Sequence, residues 1–444
     1  MFLPQPVAYC IGQLKNAGFE SYCVGGCVRD ALLGITPHDY DLTTRATPSQ
    51  IAQVFSDHDL VRAGEKHGTI GVVIDHNVYE ITTFRTEGGY QDSRHPDWVK
   101  FVPTVEEDLA RRDFTVNAMA YNPDRGYIDP WGGQADLQAK VLRAVGDPTT
   151  RFTEDALRIL RGVRFAVRFG LTPDDATAQA MNTLAPALEK IAKERIFDEL
   201  CKLLLDVTAA DLLRFRSILA QVIPELKDSF DFDQHSPHHI YDVFTHTAYV
   251  VESAPRELAL RWAALLHDTG KPQAFYRDET GRGHFPSHAK YSAQIAEAVL
   301  TRLKAPTALR ERVVLLIAQH MTQLEPDKRI VRRRLAQHGE ETVRQMLALQ
   351  HADFSSKGTG TAQEEAVFGE IEATLNEILA EDACLGLKDL AVNGKDLMTA
   401  GFPAGPALGK CLNQLLEQVL DETLPNEKAA LLAAAQAYKE GENL

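Results

Sequence analysis

The sequence predicts an α+β chain, with strands and helices mixed in the first third and helices from there almost to the end. Two patterns carry this. The short apolar runs GTIGVVI and VYEITTF, bounded by turn residues, lie in the first hundred residues. From Phe152 onward, apolar residues recur mainly at three- and four-residue spacing. At 444 residues the chain has room for about two to four domains and ample core.

Composition narrows the partners. Lys+Arg 47 against Asp+Glu 62 gives a net charge of −15, so no global basic field attracts nucleic acid. Any RNA contact must use local basic patches. The six cysteines form no CxxC pair, which argues against a zinc ribbon or disulfide framework and fits reduced thiols. The opening MFLPQPVAYC lacks a basic region followed by an apolar stretch, and no uncharged run reaches about 18 residues. A soluble cytoplasmic protein with no membrane span is expected.

Residues 22–42, YCVGGCVRDALLGITPHDYDL, organise the rest. An apolar run ends in Gly25-Gly26, a short segment carries Arg29 and Asp30, and the chain returns as a strand bearing Asp39 and Asp41. Strand side chains alternate, so those two aspartates share one face. Adjacent carboxylates repel unless a cation joins them, and Mg2+ takes one or two carboxylates plus substrate phosphates. Glycines admit a close ligand, and the planar fork of Arg29 matches phosphate oxygens. The constellation reads as a site for a metal-bound nucleoside triphosphate.

Next, PSQIAQVFSDH reads as an amphipathic helix with Ser49 near its start. The two strands that follow are joined by a hairpin-type turn at Asp75-His76-Asn77. Glu80 is either an edge-strand glutamate facing water or a third metal carboxylate beside Asp39 and Asp41. RTEGGYQDSRHPDWVKFV has no periodicity and reads as a long mobile functional loop or as disorder. EEDLARRDFTVNAMAY, 106–121, resumes a helical pattern with Arg111, Arg112 and Asp113 at its polar edge, and DPWGG marks a tight turn. A charged trio of this kind is a solvated face or a site.

FTEDALRILRGVRFAVRFG, 152–170, predicts a helix capped by Thr153. Arg158, Arg161, Arg164 and Arg168 share one side, opposite Ile159, Leu160, Val163 and Val167. No acid follows the first turn, so these guanidiniums read as unpaired and suited to a polyanion, triphosphate or RNA. Asp155 and Arg158, one turn apart, offer an acceptor and a donor for the Watson–Crick edge of a base. In KERIFDELCKLLL, 193–205, Ile196, Leu200 and Leu203 face a core, and Arg195 with Glu199 reads as a helical ion pair.

The second half is rich in His and Asp. His246, His267-Asp268, His288 and His320 sit within or beside apolar helices, and Asp353 follows. Neutral imidazoles mixed with carboxylates suit a divalent transition metal. KRIVRRRL, 328–335, is either an RNA contact or a solvated face. From about 356 the sequence is acidic and helical, broken by DLAVNGKDLMTAGFPAGPALG.

VGGCVRDALLG…DYDL, TFRTEGGYQDSRHP, RRDFTVNAMAY, EDALRILRGVRF and KERIFDEL run in an order that resembles the class II CCA-adding tRNA nucleotidyltransferases of the polymerase-β-like superfamily. The resemblance implies a head with a small mixed sheet over 1–145, a helical neck and body over 146–228, and a helical tail over 356–444. It implies that Asp39 and Asp41 bind catalytic Mg2+, that Gly26 and Arg29 meet the triphosphate, and that Arg111, Arg112 and Asp113 serve nucleotide or sugar binding. Asp155 and Arg158 would choose CTP or ATP, supported by Arg161 and Arg164. The loop at 85–96, with Asp92 and Arg94, is similar to a flexible loop that full CCA addition uses. The tRNA 3′-hydroxyl would attack the α-phosphorus in line and release pyrophosphate. A bacterial poly(A) polymerase, or an enzyme adding only the cytidines or only the adenosine, remains an alternative.

The histidine-rich run over 229–355 resembles the HD superfamily of metal-dependent phosphohydrolases. That implies His246, His267, Asp268 and Asp353 as ligands, with His288 and His320 matching the extra histidines of two-metal members. A phosphohydrolase whose first half only binds RNA is the reading from a different class.

Overall fold

The β-branched runs of the first third assemble into one seven-stranded sheet. The computed structural model describes residues 1–88, 98–236, 240–381 and 383–441. Its strands are β1 (Ser21–Val24), β2 (Leu42–Thr44), β3 (Leu60–Val61), β4 (Thr69–Ile74), β5 (Asn77–Thr83), β6 (Arg85–Gly88), β7 (Trp98–Phe101), β8 (Ala120–Asn122) and β9 (Gly126–Ile128). The sheet order is β3-β4-β5-β2-β1-β8-β9, with β6 and β7 forming a separate hairpin. β2 and β5 run parallel and the other neighbours antiparallel, so the sheet is mixed. Asp75 and His76 both take positive φ, 49° and 64°, as a two-residue hairpin turn between β4 and β5 requires.

The chain forms two compact units, Met1–Pro224 with Arg302–Ala305 and Glu225–Thr301 with Pro306–Leu444. The first contains the sheet and α1 (Gln5–Asn16), α2 (Gly26–Leu32), α3 (Pro48–Val54), α4 (Val105–Ala110), α5 (Gly133–Ala139), α6 (Pro148–Glu154), α7 (Leu157–Phe169), α8 (Asp175–Leu184), α9 (Lys193–Leu204) and α10 (Ala209–Val222). The second is helical apart from a two-stranded ribbon. Its helices are α11 (Val243–Ser253), α12 (Leu258–Leu266), α13 (Lys271–Ala274), α14 (His288–Arg302), α15 (Thr307–Gln319), α16 (Lys328–His338), α17 (Glu340–Ser355), α18 (Ala362–Ala380), α19 (Gly394–Thr399), α20 (Pro406–Leu420) and α21 (Lys428–Gly441). Among the described residues no helix is long and apolar enough to cross a membrane.

Several boundaries differ from the sequence reading, and the stretch 85–102, read as a loop, bears β6 and β7 at its two ends because Arg85–Gly88 pairs antiparallel with Trp98–Phe101. Asp39 and Asp41 precede β2 rather than lying within it, although the Val24 amide donates to the Asp41 carbonyl at 3.0 Å. The stretch 106–121 is helical only to Ala110; a 3₁₀ turn at Thr115–Asn117 and then β8 follow. By contrast, Glu80 is exposed where β5 pairs with β4 alone, since pairing with β2 begins at Ile81, so locally it keeps the open-edge position facing water. The helix expected over 152–170 is two helices. Asp147 caps α6 by accepting from the Thr150 amide, Asp155 turns extended at φ −146°, and α7 starts at Leu157. Thr153 caps nothing; its hydroxyl donates to the Thr149 carbonyl within α6.

The basic run on α16 is neutralised within its own unit. Lys328 meets Glu377 and Glu381 at 2.7 and 2.9 Å, Arg332 meets Glu381 and Glu422, and Arg333 meets Asp421 at 2.7 Å. These acids come from α18 and the end of α20, and the pairs at their exposed positions contribute little stability each. The helices after α18 have an apolar core of their own, around Val392, Leu397, Cys411, Leu415 and Leu431.

In the first unit α7 packs on α9. Arg164 and Glu199, both buried, face each other at 2.6 Å. Removing one partner from such a pair strands a charge in low dielectric. Glu199→Ala should therefore lower stability by about 3–5 kcal/mol. Denaturant unfolding of the full chain checks this, and the conservative pair Arg164→Met with Glu199→Leu should recover most of the loss.

Candidate active site and a second ligand cluster

The turn between β1 and α2 sets the site. Gly25 sits at φ 73° and ψ −124°, a conformation that L side chains rarely adopt, and its amide donates to the Met119 carbonyl at 3.1 Å. A Cβ built there would lie 2.5 Å from Nη1 of Arg112. The glycine thus admits a guanidinium against the backbone. Arg112 is half-buried, the desolvation of its guanidinium pulls its basicity down, and its Nε has no hydrogen-bond partner in the structure.

The cleft beside this turn encloses about 1000 Å³. Asp39 and Asp41 line it. Burial in the cleft raises the Asp41 carboxyl, Asp39 adds to the rise, and the charge of Arg112 opposes it. Two carboxylates that resist sharing negative charge are the donor set a divalent cation fits. Gly26 and Arg29 also line the cleft. Arg29 donates to Asn117 at 2.5 Å and to Asp30 at 2.6 Å, and its guanidinium stands 4.2 Å from the Phe169 ring centroid. The guanidinium is thereby held in place before any anion arrives.

Three of the four arginines on α7, Arg158, Arg161 and Arg164, are ion-paired, contrary to the sequence reading. Their acids come from other elements. Arg158 meets Glu154 at 2.7 Å, Arg161 meets Asp113 at 2.8 Å, and Arg164 meets Glu199. Arg168 stands 5.4 Å from the Phe169 ring centroid. Burial works against ionisation of Asp113, yet Arg161 and the Asn117 amide hold its carboxyl down at about 2. Arg195 pairs with Asp155 at 2.9 Å rather than with Glu199, and its Nη1 is buried without a partner. The other Asp155 oxygen accepts from the Leu157 amide. Arg111 pairs with Asp108 at 3.0 Å.

The structure brings Asp39, Asp41, Gly26, Arg29, Arg111, Arg112, Asp155, Arg158, Arg161 and Arg164 to this one cleft. Glu80 lines a neighbouring cavity that also touches Asp39 and Asp41. Its carboxylate does not come within ligand distance to close a three-residue group with them. Asp92 and Arg94 lie outside the described residues. Sequence reasoning missed Asn117 and Lys202 as lining residues, and gave Arg195 the wrong partner. Both Arg195 and Asn117 stand inside motifs that had signalled the site, KERIFDEL and RRDFTVNAMAY.

The second unit gathers the predicted histidines. His246, on α11, hydrogen-bonds Asp353 of α17 at 2.9 Å. His267 Nε2 lies 3.2 Å from Asp268, and His288 Nε2 lies 3.2 Å from His320 Nε2. Two ligand groups result, His246-His267-Asp268 and Asp268-His288-His320, each with its donor atoms within 4.8 Å of one another. Burial would lower the His267 ring, but Asp268 and Asp353 push it up to about 10. Burial draws the His320 ring down to about 4 and lowers His288 as well. The Nδ1 atoms of His267, His288 and His320 face the Ala264, Phe285 and Ile317 carbonyls, leaving each Nε2 for the centre. Lys271, buried and 2.7 Å from Asp268, completes the cluster and was not foreseen.

Residues 21–143 match the Poly A polymerase head domain, a nucleotidyltransferase class. Residues 170–230 match the "Probable RNA and SrmB- binding site of polymerase A", and 284–435 match tRNA nucleotidyltransferase domain 2. The CCA-adding enzyme of Latilactobacillus sakei is 37% identical over 428 residues, covering 96% of each chain. That of Limosilactobacillus fermentum is 36% identical over 434 residues, covering 97% of this chain and 96% of its own. The chain belongs to the CCA-adding enzyme family. A Bacillus stearothermophilus CCA-adding enzyme solved in complex with CTP superposes with a TM-score of 0.72 at 28% identity over 99% of both chains. A Thermotoga maritima CCA-adding enzyme complexed with tRNA shares the fold, with a TM-score of 0.59 at 20% identity over 98% of this chain and 96% of its own.

Gly25→Ala should force a Cβ into Arg112 and impose an unfavourable φ, costing about 1–2 kcal/mol of stability. Incorporation of labelled nucleotide should fall about tenfold or more, since Arg112 must leave the cleft wall. A steady-state assay beside a thermal melt separates the two effects.

Proposed function

We propose that this chain adds C, C and A to the 3′ end of tRNA, using CTP and ATP without a nucleic-acid template. One observation carries the reading: paired aspartates stand at the edge of a cleft whose wall is arginine, so a cation and a triphosphate have complementary surfaces within reach. Arg29 and Arg112 bind phosphate oxygens. Asp39 and Asp41 would hold a divalent cation of the Mg2+ kind, which when bound draws charge from the phosphates and lowers the barrier to transfer. The acceptor hydroxyl oxygen bonds to the α-phosphorus, the bond to the bridging oxygen breaks, and pyrophosphate leaves with the electron pair. The hydroxyl proton passes to water. Positioning and charge neutralisation supply the acceleration, with no covalent intermediate.

Asp155 and Arg158 read the base edge. Their present partners, Arg195 and Glu154, keep them oriented until a nucleotide enters. Residues 1–145 form the head and 146–228 the neck and body in this reading, and 356–444 the tail. The cytoplasm is the compartment that suits tRNA maturation.

A second reading concerns 229–355 as an HD domain, favoured by the two buried ligand groups around Asp268. His246, His267, Asp268 and Asp353 would hold one divalent transition metal, with His288 and His320 serving an adjacent ion. The buried carboxylates and the imidazole Nε2 atoms gathered around them are a donor set that fits. Such a centre supplies an activated water for phosphoester hydrolysis when loaded.

Pure protein incubated with tRNA lacking its CCA end, CTP and ATP should yield CCA-terminated product on sequencing. Long adenosine runs would mean a poly(A) polymerase instead. Asp39→Ala with Asp41→Ala should abolish incorporation while tRNA binding persists. For the second unit, His267→Ala should lose metal relative to the parent by elemental analysis, and equal content would remove the proposed centre.

A further inference from the structure

β2 and β5 pair in parallel only from Leu42↔Ile81 to Thr44↔Thr83. Upstream of that register the segment 37–41 and the first half of β5 enclose a cavity of about 630 Å³. His38, Asp39 and Asp41 line both this cavity and the arginine-walled cleft, so the carboxylate pair stands at their junction.

The two spaces differ in charge. The cleft is walled by Arg29, Arg112, Arg158 and Arg161 among others. Among the described residues lining the second cavity there is no Lys or Arg, and Glu80 joins the two aspartates there. A triphosphate is drawn to the first space and repelled from the second. A ribose and base, which carry no charge, meet no such penalty. Tyr40 and Tyr79, both partly buried, present aromatic surface in the second cavity. In-line displacement also needs the attacking oxygen on the side of the α-phosphorus opposite the leaving pyrophosphate.

We propose that this second cavity is the acceptor subsite, which takes the terminal ribose and base of the RNA 3′ end, with Tyr40 and Tyr79 as positioning residues that pack against that base. The inference rests on the nucleotidyltransferase reading above. Stacking on an aromatic face tolerates every base, which suits an acceptor whose last nucleotide changes with each addition.

The test is a cycle between the tyrosines and the terminal base. The acceptors are an RNA minihelix ending in cytidine and the same minihelix with an abasic last nucleotide. The enzymes are the parent full-length chain, Tyr40→Ala with Tyr79→Ala, and Tyr40→Phe with Tyr79→Phe. For the parent, kcat/KM for the acceptor should fall roughly tenfold when the base is removed. The alanine variant should show a similar loss on the intact minihelix, little further loss on the abasic one, and an unchanged KM for CTP. The phenylalanine variant, which keeps the rings, should match the parent and excludes a folding artefact. Independent, multiplying losses would overturn the subsite alone, as would a raised KM for CTP with acceptor kinetics intact. No incorporation by the parent would overturn the transferase reading and the subsite with it.

Discussion

Asp113 is the residue on which the cleft depends. Several guanidiniums must stand within a few ångströms of one another in an interior where like charges repel strongly, and they must do so before any anion arrives. Asp113 accepts from the Phe114 amide at 2.9 Å, from Asn117 Nδ2 at 3.1 Å and from Arg161 at 2.9 Å. Asn117 in turn accepts from Arg29. One buried carboxylate therefore links the loop after α4 to α2 on one side and to α7 on the other. Glu199 does the same for Arg164 from α9. The two acids neutralise part of the wall while leaving Arg112 and Arg195 each with a buried nitrogen unspent.

Much of this was legible from the chain. The run from Tyr22 to Leu42 marked the turn, the aspartate pair and Arg29, and all reach one cleft. The side of α7 bearing arginines and the side facing the core both follow from a 3.6-residue period. The histidine cluster also assembled, since six dispersed residues converge within one unit.

What escaped was set by partners distant in sequence. The arginines of α7 looked unpaired because their acids, Asp113 and Glu199, lie on other elements, and periodicity sees only its own helix. Arg195 and Glu199 have the spacing of a helical pair, yet Arg195 turns to Asp155 and Glu199 to Arg164, a better-buried guanidinium than Arg195, and burial strengthens that interaction. The break at Asp155 was hidden because FTEDALRIL contains neither Gly nor Pro; tertiary contacts of Asp155 with Arg195 override local helix propensity there. On α16 the same logic ran the other way. Bases that looked available for RNA are matched by acids that follow them by roughly fifty to ninety residues, a separation consistent with the hydrogen-bond spans of those pairs.

The interruption between α6 and α7 has a mechanical meaning. Because Asp155 sits in extended backbone between two helices, its Oδ2 can leave Arg195 while Oδ1 keeps the Leu157 amide at the start of α7. Under the proposed role of Asp155 in reading the base edge, swapping pyrimidine for purine would take a change of rotamer and no sliding of a packed rod.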